Sequence, residues 1–545
     1  MLFRKLVGVI IILITSIVSL NRIFLPVDNQ EDKNLFSTSN VIQDIQVISK
    51  EPHSVEHPQE RSRVREYLYV RLAECGADPV VFYYDSVESY KKKRITIGNV
   101  YGVLEPAGKK ASSYVMLIAH LDSRFTNLVK GKEQLSLGAA DDGYGLGVIL
   151  ELIRISRLYQ KQWSQGIKIL FTDSEEYGLD GIKHAYSFDK HIFDKVGLII
   201  NFEARGVKGP AVLFETSVNN KKVIELYKHS KKPTAFSLTS AVYSILPNYT
   251  DFSVLKEDFP GMNFSVVDNL NYYHTAKDNI ENISGRSIQH YGVQTQEIVK
   301  EYLVNKKYSS PDYLLSDSNV VYFSIPYLGI IVLSNLLYFS LNIFILVIFL
   351  IITLFYVKQS RIRLVNILKI TGVNTLYIIV TSIALYFVSR FFSQTNGLEY
   401  KLISLAYVDE EYPVLILSLG TSVVFFRWLY AKHMNSSKAT LPEYMASGIL
   451  VLMLLSAITL FLAGDSTLFF VSLLCGVLSY VSLLFKYSKF ISLLGLIVTL
   501  LYLIPLLYLL YVALAFGSLP IISALVLFFV WTLFPTFSAF TGTYD

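Results

Sequence analysis

Histidine and carboxylate residues accompany a series of short apolar segments between residues 115 and 275. They stand after these segments or in the loop before a helix, and they are His120, Asp122, Asp141, Glu175, Glu176, Glu203 and His274. Imidazole nitrogens and carboxylate oxygens suit Zn²⁺, with Mn²⁺ and Co²⁺ as alternatives. No cysteine stands among them, which favours an open catalytic metal site over a closed structural one. Each residue alone is weak evidence, and the prediction rests on their joint occurrence.

The apolar segments themselves have the length and composition of buried strands. They are residues 115–119, 167–171, 196–202 and 262–267. An amphipathic stretch at residues 145–159 separates the first two segments and has apolar residues at helical spacing. Strand–helix–strand alternation predicts an α/β fold with a doubly wound, largely parallel sheet. Because ligand sites in such sheets form at the carboxyl ends of the strands, we expect the predicted ligands to converge there.

Charge and hydropathy divide the chain into three parts. In residues 1–27, Arg4 and Lys5 precede an apolar run, which predicts a signal anchor rather than a cleaved signal peptide. Residues 30–310 are polar and mixed, and have the size of one α/β domain. Residues 320–545 contain stretches of about 20 apolar residues, which predict an all-α transmembrane domain of about seven helices. These stretches are residues 338–357, 371–391, 414–430, 446–463, 467–485, 490–513 and 519–537.

Lysine and arginine residues follow the first, third and fifth of these stretches. Since positive charge favours the cytoplasmic side, these loops and the N-terminus are predicted to be cytoplasmic. The domain at residues 30–310 is then extracytoplasmic, at the cell surface, in the periplasm or in an organelle lumen. Residues 320–334 are apolar too, but Pro326 and Gly329 interrupt them, which favours a strand or an interfacial segment over a span. The sequence therefore predicts a multi-pass protein in contact with the lipid bilayer.

Composition excludes several classes of protein. The chain has 545 residues, of which 52% are hydrophobic and 17% charged, so it is neither disordered nor an ordinary soluble protein. A net charge of +5 without a basic stripe predicts no nucleic-acid partner. Cys75 and Cys475 are too few for a disulfide framework. Few ionisable residues interrupt the apolar stretches, which favours anchoring over ion-coupled transport. The sequence leaves open whether the chain forms a homo-oligomer.

Five motifs, in this order along the chain, resemble the M28 family of zinc-dependent aminopeptidases. They are residues 119–123 (AHLDS), 138–143 (GAADDG), 173–181 (DSEEYGLDG), 201–204 (NFEA) and 272–275 (YYHT). The resemblance covers about residues 40–300. Glu203 stands where many soluble members carry Asp. Together with the long multi-span region, this feature resembles the membrane-embedded branch, which includes vacuolar and endoplasmic-reticulum membrane metallopeptidases.

The resemblance implies two zinc ions that share a bridging carboxylate and a bridging water. The implied ligands are His120 and Glu203 for one zinc, Glu176 and His274 for the other, and Asp141 between them.

The resemblance also implies three catalytic roles. Glu175 is expected to be the general base, beside the metals but not bound to them. Asp122 is expected to accept a hydrogen bond from the second ring nitrogen of His120 and so to fix its tautomer. Tyr273 is expected to donate to the developing oxyanion.

These observations predict a membrane-bound, two-zinc metallopeptidase that removes N-terminal residues from peptide substrates outside the cytoplasm. A glutaminyl cyclase, which is an acyltransferase of related fold with one zinc, is an alternative. The presence of all five implied ligand residues favours two metals and hydrolysis. A non-catalytic receptor or scaffold is a second alternative, against which the intact Glu175 argues. The preferred side chain and the length of the peptide are left open.

Overall fold

The computed structural model describes residues 2–21, 35–89, 92–244, 248–435, 439–485 and 487–542. The chain divides into two units, which we call the α/β unit and the helical unit. The α/β unit comprises Phe24–Ser324 and Gly329–Val332. The helical unit comprises Met1–Ile23, Ile325–Leu328 and Leu333–Asp545. Residues 22–27 of the predicted signal anchor lie outside the described residues.

A seven-stranded sheet forms the centre of the α/β unit. The strands of the chain are β1 (Val80–Glu88), β2 (Arg94–Leu104), β3 (Tyr114–His120), β4 (Asn127–Val129), β5 (Lys132–Gln134), β6 (Gly166–Thr172), β7 (Val196–Ala204), β8 (Val212–Thr216), β9 (Gly261–Val266), β10 (Val320–Ile325) and β11 (Gly329–Ser334). The order across the large sheet is β1-β2-β6-β3-β7-β9-β8, and β4–β5 and β10–β11 form separate pairs. The four central strands β6, β3, β7 and β9 run parallel.

The four central strands are the four predicted apolar segments, and the prediction of an α/β fold with a largely parallel sheet is confirmed. The outer strands β1, β2 and β8 pair antiparallel and were not predicted. In β1 the side chains of Val80 and Tyr83 are 48% and 59% exposed, whereas every residue of β3 is buried. A strand that is buried on both faces reads as an apolar run, and an exposed edge strand does not.

Helices flank the sheet and connect its strands. In this unit they are α2 (Thr38–Ile48), α3 (Pro58–Glu74), α4 (Gly143–Arg157), α5 (Glu175–Gly178), α6 (Asp180–Phe188), α7 (Lys221–Tyr227), α8 (Ser237–Ser244), α9 (Phe252–Leu255) and α10 (Gly285–Val304). Helix α4 is the predicted amphipathic stretch, and Asp142 caps its first turn by accepting from the Gly145 amide (3.0 Å). Helices α2 and α4 can approach closely because Gly147 has no side chain. A Cβ atom at this position would lie only 2.8 Å from Val41 Cγ1.

A buried ion-pair cluster supports the turn after β6. The Asp173 Oδ2 atom accepts from Arg65 Nη2 (2.7 Å) and from the Gly98 amide (2.8 Å). Arg61 Nη1 lies 3.4 Å from Asp173 Oδ1. All three charged side chains are buried, so the two guanidinium groups depend on this carboxylate for compensation.

We expect Asp173→Ala to destabilise the α/β unit by about 3–5 kcal/mol, because two buried cations lose their carboxylate. Hydrogen–deuterium exchange of α3 and β6 in detergent-solubilised protein measures this loss locally. Glu60→Ala is the control, since it removes an ion pair with Arg63 that is about one third exposed. That pair is expected to contribute less than about 1 kcal/mol. Equal exchange rates in the two variants would contradict the prediction.

The helical unit contains seven helices that are long and apolar enough to cross a membrane, counted over the described residues. Its helices are α1 (Leu2–Asn21), α11 (Asn335–Lys358), α12 (Leu364–Thr395), α13 (Glu411–Asn435), α14 (Leu441–Ala463), α15 (Thr467–Ser482), α16 (Ser488–Leu514) and α17 (Leu519–Thr541). Helix α15, the predicted fifth stretch, is not among the seven candidate spans, because it has only 16 residues. At about 1.5 Å per residue it measures about 24 Å, less than the roughly 30 Å of a hydrocarbon core.

Polar side chains inside the helical unit bond to one another. Trp531 Nε1 donates to Ser447 Oγ (3.0 Å), and Asn374 Nδ2 donates to Tyr444 Oη (2.8 Å). Such bonds satisfy groups that would find no water partner in a bilayer.

Residues 320–334 form β10 and β11, so this apolar segment is not a helical span.

Candidate metal centre

The structure brings all five predicted metal ligands together at the carboxyl edge of the parallel strands. They form two groups that share one residue. The groups are His120, Asp141 and Glu203, and Asp141, Glu176 and His274. Within each group the candidate ligand atoms lie within 4.8 Å of one another. The two groups can therefore hold two cations with Asp141 between them.

In the first group, His120 Nε2 lies 3.2 Å from Asp141 Oδ1. The other ring nitrogen, Nδ1, lies 2.9 Å from the main-chain oxygen of Asp122 and 3.6 Å from its carboxylate Oδ1. The ring is thus held by the carbonyl, whereas a carboxylate partner was predicted. The Asp122 carboxylate instead accepts from the Glu175 amide (3.0 Å). Either acceptor leaves Nε2 of His120 as the nitrogen that faces the ligand group.

In the second group, His274 Nε2 lies 2.9 Å from Glu176 Oε1 and 3.2 Å from Asp141 Oδ2. These three atoms are buried and make no hydrogen bond within the described part of the chain. Buried polar atoms in native proteins almost always have partners, and facing carboxylate oxygens need positive charge between them. A divalent cation satisfies all three atoms at once, so the residues present fit a bound metal ion.

Arg124 holds the outer side of the Glu176 carboxylate. Its Nη1 atom lies 2.9 Å from Glu176 Oε2 and 3.1 Å from the Glu176 main-chain oxygen. Burial acts to raise the pKa of Glu176, but the charges of His274 and Arg124 outweigh it and lower that pKa well below its usual range. Glu176 is therefore an anion with Oε1 directed at the ligand group. Arg124 was not predicted as a site residue, although it stands two residues after Asp122.

Asp278 fixes the loop that carries Asp141. Its carboxylate accepts from the amides of Ala140 (2.7 Å) and Asp141 (3.3 Å) and from the Ser136 hydroxyl (3.2 Å). Burial and the nearby Asp141 charge raise the pKa of Asp278 to about 7. Asp278 was not predicted as a site residue either. Its signal is its place four residues after His274, in the same polar turn.

Glu175 opens helix α5 beside the ligand groups. Ser174 before it has a φ of 61°, which is a left-handed conformation and turns the chain sharply out of β6. Burial raises the pKa of Glu175 well above its ordinary value, and Glu203 and Glu176 raise it further against the influence of His120. A carboxylate next to a metal centre with a raised pKa is suited to take up and return a proton.

Tyr273 lies against the second group. Its ring stacks on the ring of His274, with 3.6 Å between centroids. Burial raises the pKa of Tyr273 well above its ordinary value, and the carboxylates of Asp141 and Glu176 act in the same direction. The phenol is therefore in its protonated form beside the ligands. Its role in catalysis stays a prediction.

Comparison with known sequences gives a family match for part of the α/β unit. Residues 99–299 match peptidase family M28. A putative endoplasmic reticulum metallopeptidase 1 of Schizosaccharomyces pombe is 29% identical over 215 residues, which are 39% of this chain and 24% of that protein. The vacuolar membrane protease of Lodderomyces elongisporus is 26% identical over 407 residues, 70% of this chain and 39% of that protein. The match thus spans about a quarter of the length of the first relative and about two fifths of the length of the second.

Among solved structures, glutaminyl cyclase of Porphyromonas gingivalis is similar with a TM-score of 0.40 and 19% identity, covering 49% of this chain and 99% of that one. A Zn-dependent exopeptidase from Parabacteroides distasonis has the same TM-score and 20% identity, covering 49% and 98%.

The family assignment agrees with the motifs found in the sequence and with the ligand types that the fold brings together. It confirms the resemblance to the membrane branch of M28, since matched relatives are named for the endoplasmic reticulum and the vacuolar membrane. The chain therefore carries a domain of peptidase family M28, a family of zinc-dependent hydrolases, and is related to membrane-bound members of that family.

Proposed function

We propose that this protein is a membrane-bound aminopeptidase with two zinc ions per α/β unit. The observation that carries the proposal is the position of Asp141, whose Oδ1 faces His120 and whose Oδ2 faces His274, both at 3.2 Å. Each group then offers one imidazole, one glutamate and one oxygen of the shared aspartate. Three protein ligands of this kind leave a coordination position open, as catalytic zinc requires.

The chain's own residues supply the proton transfers and the positioning. Bound zinc would activate water and polarise the scissile carbonyl. Glu175 would accept the proton of the attacking water and deliver it to the amine that leaves. Tyr273 would donate to the oxygen of the scissile carbonyl as negative charge develops on it. Asp122 links these parts, because its main-chain oxygen holds His120 and its carboxylate holds the amide of Glu175.

We further propose that the α/β unit lies outside the cytoplasm. Basic residues stand at the ends of α11 and α13, namely Lys358 and Arg361 at the first and Arg427 and Lys432 at the second. Positive charge at the end of a membrane helix favours the cytoplasmic side. The start of α11 then lies on the opposite, extracytoplasmic side of the membrane. The α/β unit comes directly before α11 in the chain.

Zinc content and hydrolysis of the full chain in detergent test the aminopeptidase proposal. Fluorogenic aminoacyl substrates and peptides with a free N-terminus are assayed with and without a chelator. The same peptides with an acetylated N-terminus are assayed beside them. We expect about two zinc ions per chain, chelator-sensitive release of N-terminal residues, and no cleavage of the acetylated peptides. One zinc ion with cyclisation of N-terminal glutamine would establish a cyclase instead. No bound zinc and no turnover would contradict both enzymes.

A further inference from the structure

A buried chain of hydrogen bonds ends on the metal ligand Glu203. Asn201 Nδ2 donates to Glu203 Oε1 (3.1 Å) and to Asn263 Oδ1 (3.0 Å). Asn201 on β7 and Asn263 on β9 lie opposite each other in the parallel register, and both are fully buried. Two amides in the middle of a parallel sheet are costly unless they are bonded, so this pair needs an explanation.

This series of hydrogen bonds continues across the next strand to the surface. Asn263 Nδ2 donates to Glu215 Oε2 on β8 (3.0 Å) and to Thr250 Oγ1 (2.9 Å). The other oxygen of Glu215 accepts from Lys256 Nζ (2.8 Å). The Glu215 side chain is 5% exposed, and that of Lys256 is 33% exposed. We call Asn201, Asn263, Glu215 and Lys256 the amide relay.

The ion pair at the outer end determines which way both amides point. A lysine ammonium only donates and a carboxylate only accepts, so Asn263 presents its NH₂ group to Glu215. Its oxygen therefore faces Asn201, and Asn201 presents its NH₂ group to Asn263 and Glu203. The opposite orientation of Asn201 would place an amide oxygen against the Glu203 carboxylate. The Asn201 oxygen makes no hydrogen bond within the described residues, which indicates that donation to Glu203 is the function of this amide.

We propose that the amide relay positions Glu203 as a ligand through a single oxygen, with Oε1 held by Asn201 and Oε2 left for the metal. This inference rests on the proposed function, because it takes Glu203 as a zinc ligand. A glutamate has one more rotatable bond than an aspartate at the same position, and a hydrogen bond from a fixed donor removes that freedom. Partners that orient a metal ligand typically change metal affinity 10–100-fold.

Zinc titration of the full chain against a chromophoric chelator tests the relay. Asn201→Leu keeps the approximate size of the side chain and removes the donor. We expect it to weaken one of the two zinc affinities by about 10–100-fold and to leave the other unchanged. The matched control is Asn220→Leu, which removes a buried amide bonded to Thr216 and Val320 outside the relay. We expect the control to leave both affinities unchanged.

Two further variants keep the test decisive if Asn201→Leu folds poorly. Lys256→Met removes the ion pair with Glu215 at the outer end of the relay, and we expect it to weaken the same zinc affinity by a smaller factor. In Glu203→Asp protein the shorter carboxylate no longer reaches Asn201, so Asn201→Leu should cause no further loss. Wild-type affinities for both zinc ions in Asn201→Leu and Lys256→Met would overturn the relay. A wild-type chain that binds no zinc would overturn the proposed function itself.

Discussion

Glu175→Gln is expected to lower kcat for peptide hydrolysis by about 10²–10⁴-fold while the zinc content stays at the wild-type level. The amide that replaces the carboxylate cannot accept a proton from water, yet it has the same size. The main-chain N–H of residue 175 is unchanged by the substitution and still donates to the Asp122 carboxylate, so the turn after β6 keeps its support. Zinc content is measured by elemental analysis and hydrolysis by the release of a fluorogenic amine from an aminoacyl substrate.

Glu257→Gln is the matched control, since Glu257 is exposed and lies outside the ligand groups. We expect this variant to retain wild-type turnover and wild-type zinc. Glu175→Gln protein that has lost zinc would indicate that Glu175 is a ligand. Turnover within about threefold of wild type would show that another group acts as the base.

The parts of the fold that the sequence predicted are those in which one physical signal dominates. The central strands β3, β6, β7 and β9 are buried on both faces, so each appears in the sequence as an apolar run. The candidate ligands follow these runs directly, and parallel strands place their carboxyl ends at one edge. That combination predicts that His120, Glu176 and Glu203 lie close together, whereas their assignment as metal ligands was implied by the resemblance to the M28 family. In the outer strand β1 most side chains are exposed or half-buried, so it gave no such signal.

Other features depend on contacts between residues that are distant in the chain. Arg124 and Asp278 act on Glu176 and on the Asp141 loop, and neither contact follows from local spacing. The left-handed φ values of Ser174 (61°) and His274 (58°) are held by the surrounding structure rather than by residue type. The amide relay is a contact of the same kind, because the bonds that join its side chains from β7, β8 and β9 link residues 41 to 62 positions apart in the sequence. Sequence patterns report burial well and report such cross-strand bonds poorly.

The position of Asp141 makes a second large effect predictable. Its two carboxylate oxygens face different groups, Oδ1 towards His120 and Oδ2 towards His274. Removal of this one side chain leaves each group with an imidazole and a glutamate only. Two ligands of this kind hold zinc far more weakly than three, so we expect both zinc sites to fail together.

Asp141→Ala is therefore expected to reduce bound zinc from about two ions to well below one per chain, whereas His120→Ala retains about one. Zinc at 100 times its dissociation constant stabilises a protein by about 2.7 kcal/mol, so added zinc raises the Tm of the wild type. This rise should vanish in Asp141→Ala and persist in part in His120→Ala. The exposed Asp194, replaced by alanine, serves as the control and should respond as the wild type does. Loss of only one zinc ion in Asp141→Ala would contradict a shared ligand, because a carboxylate that serves one site cannot empty the other.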